Sequence, residues 1–256
     1  MSLTNAQWAN AAKQRMSMTN VCDEMNRTHY IYNMKTNLFL ALLFFSTIAI
    51  AQPSTKKNPN EFIPAGFVLV SSVEGDLNKD GIADKVLLIQ GTDKGAFEKN
   101  EFGELVDRNR RGIIVLFKKD NQYQMVLKNL NCFSSENEDG GVYYAPELSL
   151  EINKGNLYIH YAHGRYGYWK YTFRYRNSDF YLIGYDSSEG GEVVEKETSI
   201  NFLSKKKQEK VNTNENAEGG DEEFRETWTN ITVNKLLKLR DIKDFENFEE
   251  VDMLKY

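Results

Sequence analysis

The stretch "WKYTFRYRNSDFYLIGY", residues 169–185, decides the fold class because its side chains alternate in character. Four aromatic residues alternate with lysine, threonine and arginine, namely Trp169, Tyr171, Phe173 and Tyr175. Successive side chains of a strand point to opposite faces, so this pattern predicts one aromatic face and one basic or polar face. The turn-forming Asn-Ser-Asp at 177–179 then leads into a second apolar run at 180–185. The stretch therefore predicts an antiparallel hairpin.

The same pattern recurs upstream. "RGIIVLFKK" (111–119) and "QYQMVLKN" (122–129) flank an Asp-Asn pair, and "LSLEI" (148–152) and "LYIHY" (157–161) flank the glycine-containing turn "NKGN". Short alternating runs with tight turns between them leave no room for the helical crossovers that parallel strands need. Successive antiparallel pairs are therefore expected over residues 65–185.

We predict a mainly β protein: an antiparallel meander forming a sandwich, barrel or partial propeller-like sheet, with few short helices. The apolar positions of these runs are expected to point into one core. The predicted core residues are Leu148, Leu150, Ile152, Leu157, Ile159, Trp169, Tyr171 and Phe173.

Length and charge limit the class of protein. The chain has 256 residues, of which 41% are hydrophobic, and its formal net charge is -5. A chain of this size and composition can bury a substantial core. The acidic balance disfavours a nucleic-acid partner, since phosphates require a basic surface.

The segment "MKTNLFLALLFFSTIAIAQ", residues 34–52, has the three parts of a secretory signal peptide. Lys35 precedes an apolar run at 38–48, and Ala49-Ile50-Ala51 matches the small-x-small cleavage pattern, with cleavage before Gln52. A transmembrane anchor is the alternative, disfavoured because the run is short. We therefore expect an exported protein, periplasmic or extracellular, with no transmembrane anchor after cleavage.

Three divisions of the chain follow from this segment. Residues 34–51 are the expected signal peptide, and residues 52–256 a single secreted β-rich domain. Residues 1–33 are interpreted as an upstream extension that is not native, from a start codon placed too early, or else as a genuine cytoplasmic extension. Within the domain, the charged stretch 204–223 is predicted to be a mobile loop. Residues 235–250 fit a short helix or a strand followed by a turn.

The stretch "GDLNKDGIAD", residues 75–84, has the composition of a calcium loop. Calcium takes oxygen ligands from several directions, and a glycine lets the backbone turn around the ion. An EF-hand is excluded because Leu87 replaces the twelfth-position glutamate and the flanks resemble strands. The alternative is a plain turn, since Asx and glycine residues form turns without a metal. The predicted calcium ligands are Asp76, Asn78, Asp80, the carbonyl of Ile82, and Asp84.

Residues 65–89, "AGFVLVSSVEGDLNKDGIADKVLLI", resemble a single FG-GAP or VCBS-type repeat of the kind found in bacterial surface proteins and in the integrin α propeller. The wider sequence resembles small secreted bacterial proteins of uncharacterised role. The resemblance implies that the Asp-x-Asx-x-Asp-Gly-x-x-Asp loop binds calcium between two β-strands. Those proteins carry several copies, whereas this chain carries one, so a complete β-propeller is not implied.

No catalytic site is predicted. His160 and His163 are three residues apart on a strand, which places them on opposite faces and disfavours a shared zinc ion. The common hydrolase and nucleotide-binding motifs are absent from the sequence. Cys132 is the single cysteine after the signal segment and is expected to be buried.

The segment "HGRYGYW", residues 163–169, offers a candidate ligand-binding site. Tyr166, Tyr168 and Trp169 lie beside glycines and would stack on sugars or anchor a protein if exposed. The alternative is that these rings fill the core. Two functions remain: a secreted, calcium-stabilised β-domain that binds a protein or glycan at the cell envelope, or an envelope hydrolase that uses paired carboxylates as a glycosidase does.

Overall fold

A computed structural model describes residues 54–138, 145–245, 248 and 253, together with scattered helical positions between 9 and 27. The chain divides into two compact units, Met1–Gln52 and Pro53–Tyr256. The expected signal peptide at 34–51 lies outside the described residues, as does most of 1–33. Across the described positions, none of the helices has the length and apolar character needed to cross a membrane.

The second unit is mainly β, which confirms the predicted fold class. Its described elements are strands and four short 3-10 helices, and Met253 is α-helical. In chain order the strands are β1 (Thr55–Lys56), β2 (Phe67–Gly75), β3 (Asp84–Gly91), β4 (Phe97–Lys99), β5 (Leu105–Asp107), β6 (Arg111–Lys119), β7 (Gln122–Phe133), β8 (Glu147–Asn153), β9 (Asn156–Ala162), β10 (Gly167–Arg176), β11 (Asp179–Gly190), β12 (Val194–Asn201), β13 (Lys206–Asn212) and β14 (Phe224–Asn230).

These strands form two large antiparallel sheets and a small ribbon. The five-stranded sheet has the order β1-β7-β6-β3-β2, and β4 pairs with β5 in the ribbon. The seven-stranded sheet has the order β14-β13-β12-β11-β10-β9-β8, so each strand pairs with its neighbours in sequence. This is the meander that the alternating sequence predicts, because short turns join strands that are adjacent in the sheet.

The main core lies between the two large sheets. Val86, Leu88, Ile113 and Val115 of the five-stranded sheet pack with the apolar face of the seven-stranded sheet. All eight predicted core residues belong to this cluster: Leu157, Ile159, Tyr171 and Phe173 are buried, while Leu148, Leu150, Ile152 and Trp169 are partly buried. The prediction that these eight residues share one core is confirmed.

A smaller core covers the opposite face of the five-stranded sheet, where Phe62 packs on Leu87, Ile89, Ile114 and Leu116. This sheet is therefore buried on both faces, which explains the continuous apolar runs of β3 and β6.

A β-bulge changes the direction of side chains along β7. The register between β6 and β7 shifts between Val115 and Leu116, which adds Val126 as an extra residue on β7. Tyr123 consequently packs in the smaller core while Leu127 packs in the main core. Met125, expected on the buried face from simple alternation, is 36% exposed.

The stretch 204–223 differs from the sequence prediction of a loop. Residues 206–212 form β13, which pairs with β12 on one side and β14 on the other. Backbone hydrogen bonds and lysine–glutamate pairs hold this strand: Lys196 and Lys207 lie 3.4 and 3.1 Å from Glu209. A strand that no second sheet covers needs no apolar side chains. The charged sequence of β13 therefore lacks the alternating pattern from which a strand is predicted. The loop prediction is therefore wrong for 206–212.

The segment 231–245 closes one side of the main core. Val233, Leu237, Leu239 and Ile242 join the core cluster, and the Asn129 side chain donates hydrogen bonds to the carbonyls of Leu239 and Ile242. Within this segment the structure has one 3-10 turn at Leu239–Asp241 and a single β-bridge between Tyr181 and Lys238. The described part of 235–250 therefore contains one short helix, of the 3-10 type, and no strand longer than this single bridge.

Candidate functional site

The predicted calcium loop joins β2 to β3, as the sequence indicates. Asp76 is at its start, and its carboxylate accepts hydrogen bonds from the backbone N–H groups of Lys79 (2.6 Å), Asp80 (3.2 Å) and Gly81 (2.9 Å). Gly81 has a φ of 84° and Lys79 a φ of 65°, both in the left-handed region. The glycine thus provides the turn expected of it, and the chain wraps around the first carboxylate.

The middle of the loop is held by its own side chains. The Asn78 amide donates to Asp80 Oδ2 at 2.9 Å, and Asp80 Oδ1 accepts from the Ile82 N–H at 2.8 Å. Asn78 and Asp80 therefore face each other at the surface of the protein. Ile82, whose carbonyl is the fourth predicted ligand, is 41% exposed.

Asp84 is completely buried, unlike the other carboxylates of the loop. Its Oδ2 atom accepts from the N–H groups of Leu77 (2.9 Å) and Asn78 (3.4 Å), and its Oδ1 atom accepts from the N–H of Lys118 on β6 at 3.1 Å. Burial raises the pKa of Asp84, and these backbone hydrogen bonds oppose that rise. Asp84 thus fastens the loop to the neighbouring strand.

The donor chemistry of this loop fits calcium, because three carboxylates, an amide and a carbonyl are all oxygen donors. The positions of these oxygen atoms fit a calcium site less completely than their chemistry does. Among the described residues there is no group of three or more His, Cys, Asp or Glu side chains placed to hold a metal ion. Asp76 and Asp84 instead use carboxylate oxygens to accept backbone N–H groups. In each of these carboxylates one oxygen accepts two N–H groups and the other, Asp76 Oδ2 or Asp84 Oδ1, accepts one. The second oxygen therefore keeps a lone pair with which it can bind a cation.

The three predicted ligand-binding rings separate onto different surfaces. Trp169 packs against the main core and stacks on Tyr161 with ring centroids 5.2 Å apart. Tyr168, on the opposite face of the same strand, is 36% exposed. Tyr166 lies in the 3-10 turn before β10, with the Arg165 guanidinium 5.3 Å from its ring. Tyr168 and Tyr166 therefore remain candidates for binding a ligand. Trp169 instead packs against the core, which is the alternative that the sequence left open for these rings.

Tyr168 belongs to a large polar surface, here called the outer face: the face of the seven-stranded sheet that bears Tyr168, Lys170 and Asp186. Strand register aligns its side chains in rows that cross the sheet. One row runs through all seven strands and contains Ser149, His160, Lys170, Asp186, Ser199, Gln208 and Trp228. Neighbouring positions in such a row are near enough for their side chains to interact.

Ion pairs and hydrogen bonds order the centre of the outer face. Asp186 lies 3.4 Å from Lys170 Nζ and accepts a 2.7 Å hydrogen bond from the Ser199 hydroxyl. On the next row, Lys210 Nζ lies 3.2 Å from Glu197. Asp186, Glu197, Ser199 and Lys210 line a shallow depression of about 140 Å³.

His160 is also on the outer face. Its Nδ1 atom is 3.4 Å from the Ser149 hydroxyl, and its ring lies 5.5 Å from the ring of Tyr168. Burial lowers the pKa of His160, and the nearby Lys170 lowers it further, so the neutral imidazole is favoured. His163 instead precedes the 3-10 turn, with its ring 5.3 Å from that of Tyr166.

Two aromatic residues of the outer face were not predicted from the sequence as candidate site residues. Trp228 is 58% exposed and Phe224 is 40% exposed, and both lie on the edge strand β14. The signal was present in "FRETWTN", 224–230, in which the two rings are four residues apart and so share a face of a strand. It was missed because the preceding charged stretch gave no reason to expect a sheet there.

A second concavity lies at one end of the seven-stranded sheet. The connections β9–β10, β11–β12 and β13–β14 meet around a cleft of about 410 Å³ that is lined by six glycines and by Arg165, Glu189, Glu192 and Glu222. Glu222 ties two of these connections together by accepting from the N–H groups of Val194 (3.2 Å) and Gly220 (2.8 Å). A hydrogen bond from its own backbone N–H, followed by those from Val194 and Gly220, lowers the pKa of Glu222.

Cys132 is buried, as the sequence predicts. Burial raises the pKa of its thiol well above the usual range, which disfavours the reactive thiolate.

Comparison with known proteins gives no relative: no family model, no curated protein and no solved structure matches this chain.

Proposed function

We propose that the chain is an exported, calcium-stabilised β-domain that binds a protein or glycan at the cell envelope. One observation supports binding most directly: the outer face carries the exposed rings of Tyr168 and Trp228 beside polar side chains that are held in pairs. The cross-strand pairs Lys170–Asp186 and Lys210–Glu197 order the polar groups beside these rings.

Calcium is proposed from the loop at 76–84. Its carboxylates lie close together in the sequence, and a cation relieves their mutual repulsion. The wrapping of the backbone around Asp76 supports this proposal because the loop already has the turn that a calcium loop needs. The role of the ion is structural, since the flanking strands β2 and β3 contribute to both cores.

Export is proposed from residues 34–51, whose sequence has the parts of a signal peptide. Because Leu87 stands where an EF-hand has its bidentate glutamate, we expect a weak calcium site. Such a site suits an extracellular or periplasmic location, where the free ion is plentiful.

A hydrolase is the second candidate, because Asp186 and Glu197 both line the depression on the outer face. They lie on adjacent strands at diagonal positions, which places their Cα atoms about 7–8 Å apart. A glycosidase needs two carboxyl groups about 5–9 Å apart, and side chains at such positions can meet that requirement. Two features weigh against catalysis. Each carboxylate has a lysine partner, whereas one of the pair must act as a proton donor. The depression of about 140 Å³ is also smaller than the usual pocket for a small-molecule ligand.

Co-sedimentation with a cell-envelope fraction of the producing organism tests the proposal. We expect the purified protein to pellet with the envelope and the double variant Tyr168→Ala/Trp228→Ala to remain in the supernatant. Phe102→Ala is the matched control, because Phe102 is an exposed ring (78%) outside the outer face, between β4 and β5. No pelleting of the unmutated protein, or equal pelleting of the double variant, would refute envelope binding through this face.

A further inference from the structure

The side chains of the outer face favour a glycan over a protein as its ligand. We infer that it binds an extended, uncharged glycan that lies across the strands from Tyr168 to Trp228. This inference rests on the proposed function and deepens it by naming the ligand class and the path of the ligand.

The path follows from strand register. The row that contains Lys170, Asp186, Ser199 and Gln208 ends at Trp228 on the edge strand. Tyr168 lies one row away on β10. Hydrogen-bonding groups therefore form a band perpendicular to the strands with a ring near each end, which suits an elongated ligand better than a compact one.

The two rings are placed as stacking platforms. Trp228 is held by a hydrogen bond from its indole N–H to Glu226, two residues earlier on the same face. Tyr168 packs beside His160, so its ring is supported on one side. Fixed, exposed aromatic rings offer an apolar surface at little entropic cost to ligands that also carry polar groups, as the C–H faces of sugars do.

The groups between the rings are polar and nearly balanced in charge. Lys170 pairs with Asp186 and Lys210 pairs with Glu197, so neither sign dominates the centre of the band. A polyanionic ligand requires an excess of basic groups. A protein partner is favoured by a desolvated apolar centre, which this face lacks. Hydroxyls and amides such as those of Ser199 and Gln208 match the many donors and acceptors of an uncharged sugar chain.

The span of the site sets the length of the ligand. From β10 to β14 there are four strand spacings of about 4.8 Å, so Tyr168 and Trp228 are roughly 20 Å apart. Only an oligosaccharide of about that length can contact both rings. Affinity is therefore expected to increase sharply with chain length until the ligand bridges the two platforms, because the second contact is then intramolecular.

Selective treatment of the envelope fraction identifies the ligand class. Envelope digested with proteinase is expected to retain the protein, and envelope whose sugars are oxidised with periodate is expected to lose it. Retention should be almost unchanged between roughly 50 and 500 mM salt, because an uncharged ligand provides no charge for salt to screen. Tyr168→Ala and Trp228→Ala are each expected to lower the affinity roughly tenfold, the order of effect that loss of an aromatic contact residue has. Phe102→Ala is expected to leave the affinity unchanged.

The outcomes separate this inference from the proposed function. Loss of binding after proteinase digestion, with periodate harmless, would overturn the glycan inference while leaving envelope binding by the outer face intact. Failure to bind untreated envelope would overturn both. Thermal melts of each variant confirm that the ring substitutions leave the fold unchanged, as their exposure leads us to expect.

Discussion

Replacing Asp84 with alanine is expected to destabilise the protein whether or not calcium is present. The carboxylate is completely buried and accepts three backbone N–H groups, those of Leu77, Asn78 and Lys118. Alanine leaves all three donors without this partner. The loop then loses its connection to β6, because the Lys118 hydrogen bond is the one that crosses to that strand.

The magnitude follows from where the three donors lie. Leu77 is 1% exposed, so its N–H stays unpaired at a cost of about 1–3 kcal/mol. Asn78 and Lys118 are only half-buried, so water replaces part of their hydrogen bonds and each costs about 1 kcal/mol. The substitution also removes the free-energy cost of burying the Asp84 charge, which offsets some of this loss. We expect a net loss of about 3 kcal/mol, which corresponds to a midpoint lower by roughly 10 °C in a domain of this size.

Thermal unfolding followed by circular dichroism in the presence of chelator measures this loss. Asp80→Ala is the matched control, because Asp80 is exposed and its described hydrogen bonds stay within the loop. A midpoint for Asp84→Ala within about 1 °C of the unmutated protein, an interval far below the shift expected for 3 kcal/mol, would refute the role of Asp84 in fastening the loop.

The pH dependence of stability gives an independent check on the same carboxyl group. The pKa of Asp84 is raised in the folded protein above its ordinary value of 3.8, so the folded state binds this proton more tightly than the unfolded state. Its contribution to stability is therefore complete below pH 3.8 and is lost as the pH rises toward the folded-state pKa. Relative to Asp84→Asn in chelator, the unmutated protein should lose stability as the pH rises through this window. A constant difference would mean that the pKa is not raised.

Three further predictions concern other parts of the chain. Calcium at about ten times its dissociation constant should add about 1.4 kcal/mol to the free energy of unfolding, and Asp80→Ala should abolish this increment; identical midpoints with calcium and with chelator for the unmutated protein would mean that the loop is only a turn. Gly167→Ala should destabilise the protein by more than about 2 kcal/mol, because Gly167 has a φ of 109° and an added Cβ would lie 1.8 Å from the Ser188 carbonyl oxygen. Gly191→Ala, with open space for its Cβ, should be nearly neutral when both variants are unfolded with denaturant. Mass spectrometry of the native N-terminus should find a mature chain beginning at Gln52, and residues 1–33 on a cell-associated product would contradict export.

Local sequence was sufficient to predict most strands from 65 to 185, but not the short ribbon of β4 and β5. A strand that covers a core must alternate, and the turn residues between such strands are distinctive, so the hairpin at 169–185 and the strands flanking the loop at 76–84 were predictable. The core positions Leu157, Ile159, Tyr171 and Phe173 followed from the same alternation. The residue types of the loop at 76–84 also gave the positions of its glycine and its oxygen donors, because that chemistry lies within ten residues.

Long-range pairing decided the rest. The charged strand β13 exists because β12 and β14 pair with its backbone, and backbone hydrogen bonding leaves no trace in side-chain character. The burial of Asp84 depends on the N–H of Lys118, 34 residues away. The outer face likewise joins residues from Ser149 to Trp228 in one row, which only the register of seven strands determines. Side-chain patterns thus identified which segments form strands in the covered part of the sheet, whereas the tertiary structure determined which polar residues meet, since their neighbours come from other strands.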